Sequence, residues 1–130
     1  MRMIFVNLPV KSVAVSRKFF GALGFDFNDQ FSDERTACMV ISDNIFAMFL
    51  EHDRFKDFIT GEISDATKAT EVLTCLSADS RAEVDSLLKN ALAAGGKAWK
   101  PILEMGPMYG ASFQDPDGHV WELVHMVQQA

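Results

Sequence analysis

The chain has 130 residues, of which 48% are apolar and 23% charged, the proportions of an ordinary soluble globular protein with a real core. Its net charge of −6 argues against nucleic-acid binding, which calls for a basic patch, and favours a neutral or cationic partner. No run of about 18 apolar residues exists to span a membrane, and Cys38 and Cys75 are too few for a disulfide framework.

The N-terminal apolar run is short and meets Pro9 and Lys11 at once, so it does not read as a signal peptide. With reduced thiols, this makes the expected location cytoplasmic. Residues 3–10 form a strand with Pro9 near its end. Ser12 is a helix N-cap, and Val13, Ser16, Phe19 and Phe20 fall on one helical face that closes at Gly21 and Gly24. Residues 25–31 alternate as a partial strand. Residues 37–41 and 45–50 form a hairpin around Ser42-Asp43-Asn44.

Residues 51–69 are polar and irregular, with a short helix expected around 54–58, and the segment 53–69 reads as a linker. Residues 71–78 form the next strand. Ser80 and Glu83 make a capping box ahead of an amphipathic stripe of Val84, Leu87, Leu88, Ala91 and Leu92, which Gly95-Gly96 stops. Residues 97–102 are expected as a strand and 105–110 as a loop. Two strands follow, 111–114 and 120–126, joined by Asp115-Pro116-Asp117-Gly118. In that turn Asp115 accepts backbone hydrogen bonds and Gly118 supplies a positive φ.

The order is βαβββ, linker, βαβββ. Ser12 and its helix lie over Ser80 and its helix, and Asp43–Met48 lies over Asp117–Glu122. The expected class is α+β, one domain made of two modules at about 1–52 and 70–130. Glu122 stands out because a carboxylate among Val120, Trp121, Leu123 and Val124 needs water or a ligand beside it. Cys75 reads as a small packing residue, Trp121 and Trp99 as core or interface, and His52 and His125 as solvated.

The duplicated pattern, the opening with Val10, Ser12, Ser16, Phe19 and Phe20, the Leu23-Gly24-Phe25 turn and the Asp-Pro-Asp-Gly…Glu122 ending together resemble the vicinal oxygen chelate superfamily, also called glyoxalase/bleomycin-resistance/dioxygenase. That resemblance implies curved sheets forming a cleft, and a homodimer. In catalytic members it implies a divalent metal held from the first and last strand of each module. Carried over residue by residue, those positions are Phe5, Met48, Leu73 and Glu122. Three are apolar, and a divalent ion that favours N and O donors is not held by one carboxylate. Asn7 shares a face with Phe5, Leu50 with Met48, and Cys75 with Leu73. Tyr109, on the Gly/Pro-containing loop, is expected at the cleft mouth.

The sequence thus points to a ligand cleft of Phe5, Asn7, Met48, Leu50, Leu73, Cys75, Tyr109 and Glu122, with no metal, no cofactor and no identifiable catalytic residue. The expected function is binding of a small organic molecule rather than catalysis. The rival is a metal-dependent lyase, isomerase or dioxygenase of the glyoxalase type, in which a metal acts as Lewis acid.

Overall fold

Ser12 ends one element and begins the next. Strand β1 (Ile4–Val10) runs up to it, and its Oγ accepts the Val15 amide at 3.3 Å to open helix α1 (Val13–Ala22). The first helical N–H, on Val13, goes to Glu51 Oε2 at 3.0 Å. Two side chains thus satisfy amides that a helix start leaves without intrahelical partners. Val13, Ser16, Phe19 and Phe20 are buried, the face their spacing predicts.

This computed structural model describes residues 1–127, which divide between two compact units, Met1–Ser64 and the chain from Asp65 on. The division falls inside the segment read as a linker.

In the first unit, β2 (Asp26–Phe27), β3 (Thr36–Ser42) and β4 (Ile45–Glu51) join β1 in the order β1-β4-β3-β2, with β1 and β4 parallel. A short helix α2 (His52–Phe55) follows, with a 3₁₀ turn over Lys56–Phe58. The expected strand at 25–31 is cut short. Asn28 turns its side chain onto the Gln30 amide at 2.9 Å and starts a 3₁₀ turn over Asp29–Phe31, so local side-chain bonding outcompetes the ladder. α1 packs on β3 and β4, where Phe20 stacks on Phe49 with ring centroids 5.0 Å apart.

In the second unit, β5 (Leu73–Ser77), α3 (Arg81–Ala93), β6 (Lys97–Ala98), β7 (Leu103–Met105), β8 (Met108–Gln114) and β9 (Val120–Met126) follow in turn. The sheet order is β5-β9-β8-β6, with β7 also on β8 and with β5 and β9 parallel. Ser80 Oγ caps the Glu83 amide at 3.0 Å, while Glu83 Oε1 reaches past the cap to the Asp79 amide at 2.9 Å. Val84 and Ala91 of α3 are buried, but Leu92, expected in the same stripe, is exposed. α3 covers the face of β8 and β9 that carries Phe113, Trp121 and Leu123.

Two departures from the sequence expectation lie side by side. The strand expected over 97–102 stops at Ala98, and the loop expected over 105–110 is a hairpin between β7 and β8. Gly106, with φ +55°, takes the positive value that the first central residue of a two-residue II′ hairpin needs. Residues 99–102 therefore arch away from β8 between two short ladders.

Candidate functional site

The β8–β9 turn builds outward from Asp115. Its Oδ1 accepts the amides of Asp117 at 2.9 Å and His119 at 3.0 Å, and its Oδ2 accepts Trp121 Nε1 at 3.0 Å. The carboxyl is buried, and burial pushes its pKa up, while His119 and the Trp121 indole pull it down. Gly118 holds φ +88°, and a Cβ there would stand 2.9 Å from the Thr67 amide nitrogen. This turn sets where β9 begins and hence where Glu122 sits.

Across the sheet, Glu122 pairs with Cys75 on β5 and with Ser112 on β8. The three side chains form one row on the face opposite α3. That face, with the arch of residues 99–102, encloses a cleft of about 580 Å³. Cys75, Met108, Ser112, Glu122 and Val124 line its floor, and Lys100, Pro101, Ile102 and Leu103 its wall. The arch is tied down where the Lys100 amide donates to Ser112 Oγ at 3.1 Å. Pro101 has no N–H to satisfy, which suits a stretch without a ladder partner.

Cys75 is exposed in this cleft rather than packed in the core. Partial burial and the charge of Glu122 both push its thiol pKa up. Leu73 lies on the same face two residues earlier, opposite Val120, and is exposed. Tyr109 belongs to the other face. Its hydroxyl bonds Asp85 Oδ1 of α3 at 2.6 Å, and Arg81 lies over its ring at 4.9 Å while pairing with Glu104. It takes no part in lining this cleft, because a strand residue one step from Gly110 points the opposite way. His125 is half-buried. Its Nδ1 lies 3.0 Å from the Ala78 carbonyl.

The first unit carries the matching row. Met48 pairs with Asn7 on β1 and with Cys38 on β3. Phe5, two residues before Asn7, stacks on Phe46 with centroids 4.9 Å apart and planes 11° apart, and stays 46% exposed. Asn7 turns its amide onto the Phe5 carbonyl at 3.1 Å. Leu50 shares the Met48 face but is buried, which removes it from the ligand-accessible set. The residues that sequence reasoning missed are Ser112 and the arch. No periodicity signals a four-residue excursion whose anchor is a serine hydroxyl twelve positions away.

The two matching rows, each on the sheet face opposite the helix of its unit, stand beside a family comparison. The model of the Glyoxalase/Bleomycin resistance protein/Dioxygenase superfamily matches residues 2–123. The chain belongs to that superfamily. Among solved structures it is similar to hypothetical protein SA1046 from S. aureus, with 26% identity over 96% of this chain and 94% of the other and a TM-score of 0.82. It is also similar to a glyoxalase/bleomycin resistance protein/dioxygenase family enzyme from Burkholderia phytofirmans PsJN (19% identity, 98% and 100% covered, TM-score 0.81). The fosfomycin resistance protein FosX from Listeria monocytogenes shares the fold at 17% identity, 98% and 94% coverage and a TM-score of 0.70. No curated protein matches the chain in sequence. On this fold Glu122 has a thiol, Cys75, and a hydroxyl, Ser112, as its lateral neighbours. No helix among the described residues is long and apolar enough to cross a membrane.

Proposed function

We propose that this superfamily member binds a small organic molecule without a metal ion, in the cleft of its second unit. The observation that carries the reading is the 580 Å³ space walled by Ile102, Leu103, Met108 and Val124, with Glu122 as the anionic group on its floor. Pockets of this size, mostly apolar with a few placed polar groups, are the usual form of a small-molecule site.

The residues at the superfamily's metal positions do not fit a divalent ion. Phe5, Met48 and Leu73 offer no oxygen or nitrogen, and no group of three or more His, Cys, Asp or Glu among the described residues is placed to hold a metal. The experiment is metal analysis of protein purified without chelator, run beside thermal shift with Mg²⁺, Mn²⁺, Fe²⁺, Ni²⁺ and Zn²⁺. Metal-free protein with no shift is expected. A stoichiometric ion, or a stabilisation that saturates with concentration, overturns the proposal in favour of a metal-dependent lyase, isomerase or dioxygenase.

The same reading takes the protein as a homodimer. It is supported by the outer strand β1, which leaves Ile4 and Phe5 exposed, with Met3 exposed just before it. Light scattering on the purified chain checks it, with a monomer at all concentrations as the contrary result.

A further inference from the structure

The row Cys75–Glu122–Ser112 has a definite charge, and that charge selects a ligand. Glu122 supplies the negative charge of the floor. Beside it, Cys75 keeps its proton, because burial and the neighbouring carboxylate both resist a thiolate. On the other side, the Ser112 hydroxyl already accepts the Lys100 amide. Glu122 forms no ion pair with any described residue. A divalent ion here would carry an uncompensated charge among apolar walls, whereas a monovalent one is matched by a single carboxylate. Lys100 is exposed, so its ammonium is solvated and screened.

We propose that the cleft of the second unit takes a primary or secondary organic ammonium, with its N–H groups on the Glu122 carboxylate and its hydrocarbon part against Ile102, Leu103, Met108 and Val124. This rests on the reading of that cleft as a ligand site. Charge-assisted N–H···O bonds to a carboxylate are the strong class of hydrogen bond, and they require a nitrogen that carries hydrogen. A quaternary ammonium lacks those donors and is recognised by aromatic cages. Among the described residues, none that lines the cleft is aromatic.

The test is titration calorimetry in EDTA with three probes of one shape: 2-phenylethylamine, 2-phenylethanol and phenylacetate. The amine is expected to bind about tenfold or more tighter than the alcohol, and phenylacetate weakest of all. Glu122→Gln, nearly isosteric, is expected to remove the preference for amine over alcohol. Raised ionic strength weakens the amine alone. If amine and alcohol bind equally, or Glu122→Gln leaves the preference intact, the ammonium assignment is wrong while the cleft remains a ligand site. Absence of binding by all three probes at millimolar concentration overturns both. A melting curve of Glu122→Gln that matches the native protein shows that the fold is intact.

Discussion

Cys75 and Glu122 stand opposite each other across the parallel ladder of β5 and β9, a thiol beside a carboxylate on the floor of one cleft. Burial first, and the Glu122 charge second, push the thiol pKa up. The thiolate is the reactive species, so Glu122→Gln, by removing the charge, is expected to speed alkylation of Cys75 by iodoacetamide about twofold to fivefold at mildly alkaline pH. Cys38 is buried, so the signal belongs to Cys75. Mass spectrometry over a time course reads it, and an unchanged or slower rate contradicts the coupling.

Asp115 gives a prediction with a sign in pH. Burial raises its carboxyl pKa above the ordinary 3.8, so the folded protein keeps this proton to higher pH than the unfolded chain does. Its contribution to stability is full below pH 3.8 and is lost as pH rises through the raised folded-state value. Asp115→Asn has no such proton. The stability of the native protein minus that of Asp115→Asn, from urea melts, should therefore fall as pH climbs through this window. A difference that is flat or rising there is the contrary result. Asp115→Ala, which strips the acceptor from two amides and the buried indole, should cost about 3 kcal/mol or more.

Much of this turn was legible in the sequence. Asp-Pro-Asp-Gly announces an acceptor at Asp115 and a positive φ at Gly118, and both are present. The face of α1 was legible too, because a period of 3.6 is strong over ten residues, whereas of the stripe expected on α3 only Val84 and Ala91 are buried. The Glu51 cap on Val13, 38 positions away, carries no local signature. The arch is hinted at only by Pro101, which cannot donate to a ladder, while Trp99 and Ile102 on either side read as a continuing strand. Of the candidate cleft residues, Cys75 and Glu122 meet in one row because both follow from strand register. Tyr109 fell to the wrong side because the loop assigned to it is a strand, whose alternation turns the ring toward α3.

Gly118→Ala tests the closeness of the second turn of chain at Thr67. The new methyl would need φ +88° and would sit 2.9 Å from a backbone nitrogen. Strain and displacement together should cost about 2–4 kcal/mol. Chemical denaturation measures it, and a loss within experimental error would mean that the segment near Thr67 yields freely.

Ser112→Ala tests the tie on the arch. The Lys100 amide loses its acceptor, and the expected loss of stability is about 1 kcal/mol. The sharper reading is hydrogen exchange, in which the Lys100 amide should exchange faster while the β8–β9 ladder keeps its protection. Faster exchange throughout β8 would show that the serine supports the sheet rather than the arch.

The arch has a consequence for how such a protein changes over generations. Ladders close it at both ends, Lys97 with Gln114 before it and Leu103 with Gly110 after it, and the buried face of the sheet lies on the other side. Adding residues between these clamps costs little, since loop closure rises only by about 0.6 kcal/mol for each doubling of length. Register, turn and helix packing would all be unaffected. The size of the cleft is thus an adjustable quantity attached to a fixed frame, and new ligand preferences can be explored there without risking the ability to fold.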